Sequence, residues 1–139
     1  MSHKPIRTIA VVGAGVMGRG IALVAAKAGF DTRVIEPHPP AAASARAEID
    51  KIVNRAREKG DWDAAALRAI EENLQWAGSP AGAKGAELVI EAVPEHVGLK
   101  AEVYAGVAPY LSPDAIIATN TSSLSITELA ATSGRPKRF

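Results

Sequence analysis

Three glycines and one acid near the start of the chain have the spacing of a phosphate-binding turn. Gly13, Gly15 and Gly18 follow an apolar, β-branched run, and Glu36 closes the next apolar run 18 residues after the third glycine. The first glycine permits a tight turn, the second lets the backbone approach phosphate oxygens, and the third lets a helix pack close to the sheet. The phosphates would lie at the N-terminus of that helix. The combination predicts a dinucleotide site, against the alternative of a glycine-rich turn that binds nothing.

The acid also indicates which dinucleotide is bound. A carboxylate at Glu36 can accept hydrogen bonds from both hydroxyls of an adenosine ribose. It would repel a 2′-phosphate by about 4 kcal/mol at a separation of ~4 Å and an effective dielectric of ~20. Arg33 points to the opposite side of its strand and cannot neutralise that repulsion. The sequence therefore predicts NAD rather than NADP, against the alternative that Glu36 is a solvated acid at a strand end.

Composition excludes several other classes of function. The chain has 139 residues, enough for one domain with a real core. A net charge of +1 and 4% aromatic residues give no basis for binding nucleic acid or a membrane surface. The absence of cysteine excludes disulfides and fits a reducing cytosol. His3, His38 and His96 lack ligand spacing, so no metal is predicted. The polar N-terminus predicts no signal peptide, and no apolar run reaches transmembrane length.

Strand and helix signals alternate along the chain, which predicts an α/β fold of the Rossmann type, doubly wound around a mostly parallel sheet. Strands are expected at residues 6–12, 32–36, 74–77, 87–93 and 115–119. Helices are expected at residues 16–28 and 98–107, and after a capping box that begins at Ser125. Residues 41–75 hold two further helical patterns, which predict a protruding helical hairpin; the alternative is two helices lying flat on the sheet.

Polar residues follow the strands at the edge where ligands bind in an open parallel sheet. Glu95 and Lys100 follow the fourth strand, and Asn120, Ser122 and Ser123 follow the fifth. Such hydroxyl and amide groups can orient a cofactor or a substrate hydroxyl during hydride transfer. The alternatives are that the serines satisfy loop backbone and that the acid and lysine are solvated. These loops contain no evident general base with an orienting partner, and His96 is more simply interpreted as solvated.

Three motifs in order resemble the NAD-binding domain of L-3-hydroxyacyl-CoA dehydrogenases, and most of all the bacterial 3-hydroxybutyryl-CoA dehydrogenases. They are GAGVMGRGIA at residues 13–22, EAVPE at residues 91–95 and TNTSSL at residues 119–124. The resemblance covers nearly the whole chain. It implies reversible oxidation of a 3-hydroxyacyl-CoA to the 3-ketoacyl thioester, with NAD taking the hydride, in fatty-acid metabolism such as β-oxidation.

The resemblance also implies roles for individual residues. Ser122 would bond the substrate oxygen and Asn120 would support its loop, while the hairpin would contact CoA with Lys59 among its basic residues. Glu95 and Lys100 would contact the nicotinamide side of NAD. The cofactor-binding set that the sequence and the resemblance predict together is Gly13, Gly15, Val16, Met17, Gly18, Glu36, Glu95 and Lys100.

One part of the family pattern is expected but not found. In the family, the strand that begins at Arg138 continues into a segment carrying the catalytic histidine, and a helical dimerisation domain follows. Residues 1–139 are therefore expected to be the amino-terminal cofactor domain of a cytoplasmic homodimer, able to bind NAD without turnover of its own. The alternatives are a related dehydrogenase of a free hydroxy acid, similar to gulonate dehydrogenases, and a non-catalytic module that senses NAD.

Overall fold

One all-parallel sheet places the carboxyl ends of its strands along a single edge. The computed structural model describes residues 4–139. Within that range five strands lie in the order β3-β2-β1-β4-β5. Their bounds are β1 Thr8–Val12, β2 Asp31–Ile35, β3 Leu74–Ala77, β4 Leu88–Glu91 and β5 Ile116–Thr119. The chain crosses from one half of the sheet to the other between β3 and β4, so the predicted doubly wound α/β fold of the Rossmann type is confirmed.

Helices connect the strands. Their bounds in the described range are α1 Val16–Lys27, α2 Pro39–Lys59, α3 Ala64–Asn73, α4 Val97–Val107 and α5 Ile126–Thr132. Short 3₁₀ turns occupy Pro80–Ala83, Ala108–Tyr110 and Pro136–Arg138. No helix of this range is both long and apolar enough to cross a membrane. Residues 4–139 also hold no cluster of three or more potential metal ligands, and His3 lies outside the described residues.

Strand β1 forms the centre of the core. Its side chains alternate between two apolar clusters, with Ala10 and Val12 in one and Ile9 and Val11 in the other. All four are buried, as the continuous apolar run predicted for a strand covered on both faces. The glycine turn that follows β1 is therefore attached to a strand that is packed on both faces.

The predicted pair of helices after β2 is confirmed, with a start two residues earlier because prolines are tolerated in a first helical turn. Gly60, with φ +67°, ends α2. Both helices bury apolar side chains against Leu23 of α1, in a cluster with Ile49, Val53 and Ile70 that Trp76 of β3 also joins. The pair therefore packs against α1 and β3, and Ala45 of α2 also joins the core cluster that holds Ile9 and Val11 of β1.

Strand β4 is shorter than its apolar run predicted, and the reason is local. The backbone N–H of Ala92 still donates to the carbonyl oxygen of Val12 at 2.8 Å, but that of Val93 turns back to the Glu91 carboxylate at 3.1 Å, so the chain leaves the ladder there. At the other end, the Glu87 carboxylate accepts the backbone N–H groups of Arg7 and Thr8 at 2.9 and 3.1 Å. These bonds hold the pKa of Glu87 below its usual range and fix the entry into β1.

Replacing Asp63 with alanine tests the helix-capping part of this fold. Its carboxylate accepts the backbone N–H of Ala66 at 2.8 Å at the start of α3. Loss of this cap is expected to lower the free energy of unfolding by about 1 kcal/mol in a urea titration. Asp61→Ala, two residues earlier in the same exposed connection, serves as the control and should change it by less than about 0.5 kcal/mol. Equal effects at both positions would contradict the assignment of the cap.

Candidate dinucleotide-binding site

A cleft of about 1090 Å³ runs along the carboxyl edge of the sheet. It extends from the loop after β2 to the loop after β5 and crosses the glycine turn after β1. An extended two-part ligand can lie across such a crevice with one half on each side of β1. The predicted site residues that line it are Gly13, Gly15, Val16, Met17, Glu36, Glu95, Asn120 and Ser122.

The three glycines of the turn are needed for different reasons. Gly13 has φ +105°, and a Cβ there would lie 2.7 Å from the carbonyl oxygen of Ala92. A Cβ on Gly18 would collide with the carbonyl oxygen of Gly13. At Gly15 a Cβ would meet no protein atom within 4 Å. The first and third glycines are therefore required by the chain itself, whereas the second leaves space that only a bound group would use.

Gly15 is also the N-cap of α1, and no side chain caps that helix end. Val16 and Met17 are 72% and 57% exposed and line the cleft, and an α-helix leaves its first backbone N–H groups without intrahelical partners. Free N–H groups and the positive end of the helix dipole favour an anion at this point. The turn therefore presents hydrogen-bond donors to an anionic group.

Glu36 lies beside the turn. Its carboxylate accepts the backbone N–H of Ala14 at 3.3 Å and that of His38 at 3.2 Å. The parallel pairing of Val12 with Ile35 brings the strand ends to the same height and makes this contact possible. The acid is therefore held at the rim of the cleft, one strand away from the phosphate position. Arg33 lies elsewhere, bonded to Asp31 and to carbonyl groups near the first 3₁₀ turn.

A buried ion pair lies behind the cleft wall. The Lys100 ammonium is 2.5 Å from the Glu91 carboxylate, and both side chains are fully buried. Glu91 also accepts the hydroxyls of Tyr104 and Thr119 at 2.8 and 2.7 Å, and Lys100 donates to the carbonyl oxygen of Val93 at 3.1 Å. Burial, and then the adjacent Glu91 carboxylate, raise the pKa of Tyr104 above its usual range. Every polar end of this cluster therefore has a partner.

Lys100 does not line the cleft, and the interpretation of it as a solvated lysine is wrong. The cost of burying an ammonium is offset here by Glu91 and by Glu95, whose carboxylate lies 3.3 Å away. Its predicted direct contact with NAD remains a prediction; in this structure the Lys100 side chain is fully buried and its partner Glu95 is partly exposed. In this structure the Lys100 ammonium pairs with the carboxylates of Glu91 and Glu95.

Glu95 joins the loops that follow β4 and β5. Its carboxylate accepts the hydroxyls of Thr121 and Ser123 at 2.5 and 2.8 Å. These two hydrogen bonds, and then Lys100, lower the pKa of the Glu95 carboxyl to about 2. Asn120 and Ser122, the alternate residues of the same loop, line the cleft. The structure therefore brings Glu95, Asn120 and Ser122 together as predicted.

Two other predicted residues lie outside this assembly. Lys59 is exposed in the last turn of α2 and does not line the cleft. His96 is the N-cap of α4, where its Nδ1 accepts the backbone N–H of Leu99 at 3.1 Å, so it is exposed but has a structural task. Ser125 caps α5 as its spacing predicted.

The structure adds residues that sequence reasoning missed. Arg19 on α1, His38 and Ser44 around the start of α2, and Glu102 on α4 all line the cleft. Their side chains follow helix faces whose direction depends on packing, so no local pattern indicated them. Glu91 is different, because an acid inside the apolar run of β4 is a visible signal for a buried partner.

Comparison with known proteins agrees with this geometry. Residues 8–139 match the family model described as 3-hydroxyacyl-CoA dehydrogenase, NAD binding domain. A probable 3-hydroxybutyryl-CoA dehydrogenase of Bacillus subtilis is 38% identical over 133 residues, which cover 96% of this chain and 46% of that protein.

Solved structures give the same result. FadB2 of M. tuberculosis superposes with a TM-score of 0.90 at 35% identity, over 97% of this chain and 48% of that one. The (S)-3-hydroxybutyryl-CoA dehydrogenase PaaH1 of Ralstonia eutropha superposes with a TM-score of 0.90 at 32% identity, over the same 97% and 48%. The chain thus spans about half the length of the relatives it matches.

Proposed function

We propose, from the premise that this chain belongs to the family of 3-hydroxyacyl-CoA dehydrogenase NAD-binding domains, that it holds NAD for the oxidation of L-3-hydroxyacyl-CoA to 3-ketoacyl-CoA. The proposal depends on one observation: the open helix N-terminus at Gly15 and the carboxylate of Glu36 lie side by side at the carboxyl edge of the sheet. Gly15 leaves open space at an uncapped helix N-terminus, and Glu36 is fixed beside it on the neighbouring strand. A diphosphate and its adenosine ribose need this arrangement.

The adenosine half then lies on the β2 side and the nicotinamide half on the β5 side of the cleft. NAD, when bound, supplies the acceptor for the hydride that leaves the hydroxyl-bearing carbon. Ser122, at the β5 end of the cleft, donates a hydrogen bond that orients the reacting oxygen, and Asn120 supports the loop that carries it. The Gly13–Gly18 turn and Glu36 bind and orient the cofactor without exchanging a proton.

The rest of the activity belongs to the whole enzyme. In the proposal, residues 1–139 are its cofactor domain, and the histidine that accepts the hydroxyl proton lies in a further domain, as in the family. Lys59, exposed near Lys51 and Arg55 on α2, meets CoA phosphates. The enzyme is a cytoplasmic homodimer, a location that the absence of cysteine in the sequence supports.

Two other functions remain distinguishable from this one. A dehydrogenase of a free hydroxy acid would use the same cofactor cleft, and comparison of acyl-CoA with free acid as substrates of the full-length protein separates the two. A module that only senses NAD would bind the cofactor and show no turnover of either substrate in any longer form of the protein.

Glu36→Gln tests the cofactor assignment. The unchanged chain is expected to bind NADH at least about tenfold more tightly than NADPH, because the carboxylate repels a 2′-phosphate. Glutamine keeps the shape and removes the charge, so the preference should narrow to about twofold to threefold in a fluorescence titration. Glu58→Gln, exposed on α2 outside the cleft, is the matched control and should keep the full preference. Equal affinity of the unchanged chain for both cofactors would refute the role of Glu36.

A further inference from the structure

We infer that Glu95 is a positioning residue, which aims Ser122 and Asn120 at the nicotinamide half of the cleft by holding the hydroxyls of Thr121 and Ser123. This inference rests on the proposed function, since it assumes that the β5 side of the cleft receives the nicotinamide. It assigns to Glu95 a task separate from its predicted contact with the cofactor. Thr121 and Ser123 acquire a task as well, that of anchoring their loop to Glu95.

The first step is the alternation of side chains along the loop after β5. Thr121 and Ser123 both donate to the same oxygen of Glu95, at 2.5 and 2.8 Å. Asn120 and Ser122 are exposed and line the cleft. Ser122 lies between two residues that Glu95 holds, so fixing Thr121 and Ser123 limits where the Ser122 side chain can point. The cleft-facing hydroxyl is thus oriented by its neighbours.

Glu95 is itself held in place by the buried Lys100. The other carboxylate oxygen of Glu95 lies 3.3 Å from the Lys100 ammonium. The Lys100 side chain is fully buried and also pairs with the Glu91 carboxylate. Glu91 in turn accepts the hydroxyl of Thr119, the last residue of β5. A continuous series of hydrogen bonds therefore runs from the sheet through α4 to Glu95 and back to the loop after β5. A group anchored in this way reaches its orientation before a ligand arrives, which reduces the entropy lost on binding.

A different task for the two hydroxyls would be to stabilise the loop in general. Thr121 also accepts the backbone N–H of Leu124 at 3.1 Å, so loss of its hydroxyl does affect the loop locally. A general loss of stability would weaken binding of every ligand in the cleft. Positioning of Ser122 would weaken only ligands that extend to the β5 side. Comparison of NADH with ADP-ribose, which lacks the nicotinamide group, separates the two.

The test uses the double variant Thr121→Val with Ser123→Ala, which removes both hydroxyls and leaves Glu95 and Lys100 in place. NADH affinity is expected to fall about fivefold to tenfold, because in this inference the aimed Ser122 hydroxyl also bonds the nicotinamide end of the cofactor, while ADP-ribose affinity stays within about twofold. Thr121→Ser, which restores one hydroxyl in the Ser123→Ala background, should recover most of the loss. Thr132→Val, an exposed threonine of α5 outside the cleft, is the matched control and should change neither affinity.

A double-mutant comparison gives the decisive readout. Ser122→Ala should weaken NADH binding severalfold in the unchanged chain and by less than about twofold in the double variant, because its hydroxyl is no longer aimed. Equal losses in both backgrounds, or parallel losses of NADH and ADP-ribose, would overturn the inference. If the proposed function itself were wrong, a different result would be seen: the unchanged chain would bind neither NADH nor ADP-ribose.

Discussion

Replacing Gly15 with alanine is expected to abolish most dinucleotide binding and to leave the fold intact. The new Cβ would meet no protein atom within 4 Å, and the backbone of Gly15 has φ −69°, which any residue adopts. The methyl group would instead occupy the space next to the α1 N-terminus and keep phosphate oxygens from the backbone N–H groups. Loss of two charge-assisted hydrogen bonds of about 1.5–3 kcal/mol each corresponds to at least about a 100-fold weaker affinity for NADH.

Gly20→Ala is the matched control for this prediction. A methyl group at Gly20 would likewise meet no atom within 4 Å, and Gly20 lies in α1 without lining the cleft. Alanine there should raise the free energy of unfolding by about 0.5–1 kcal/mol without affecting binding. Isothermal titration with NADH, together with thermal unfolding of both variants, separates the two effects. A Gly15→Ala protein that folds and still binds NADH normally would show that the phosphates lie elsewhere.

The second large effect is expected at Lys100. Substitution by methionine keeps the bulk of the side chain and leaves Glu91 buried without its cation. Removal of one partner from a fully buried pair costs about 3–5 kcal/mol of unfolding free energy. For a domain of this size that corresponds to a fall in Tm of roughly 10 °C or more. Urea and thermal unfolding monitored by circular dichroism measure both quantities.

The double variant Glu91→Gln with Lys100→Met distinguishes an uncompensated charge from a packing defect. Without the carboxylate the missing ammonium no longer leaves a buried charge, and the hydroxyls of Tyr104 and Thr119 can still donate to the amide oxygen. The double variant is therefore expected to be less destabilised than the sum of the two single variants by at least about 1 kcal/mol. If the losses in unfolding free energy of the two single variants simply added in the double variant, the ion pair between Glu91 and Lys100 would be contradicted.

The parts of this site that follow from short-range rules were predictable. The turn at residues 13–18 follows from the conformations that glycine permits, and the acid at Glu36 was recognised from its position at the end of the next apolar run. The capping roles of Asp63 and Ser125 follow equally from their position before a helical pattern.

The environment of Lys100 could not be predicted in the same way. Whether a lysine is solvated or buried depends on the partners that the tertiary structure brings to it, here Glu91 and Glu95. The acid in β4 was the available signal, since a carboxylate in a buried strand requires a donor. The cleft positions of Arg19 and His38 depend on how α1 and α2 pack, which helical periodicity alone does not specify.

The hydrogen bonds from Glu95 to the loop after β5 make one side of the cleft mouth a single stiff unit. The loops after β4 and β5 cannot separate without breaking them. The opposite side, formed by the segment between β2 and α2, is joined to the turn by the Glu36 carboxylate and, at the end of β2, by the Gly13 N–H that donates to the Ile35 carbonyl oxygen. We therefore expect the β4–β5 side of the cleft to keep its shape when a long ligand enters or leaves.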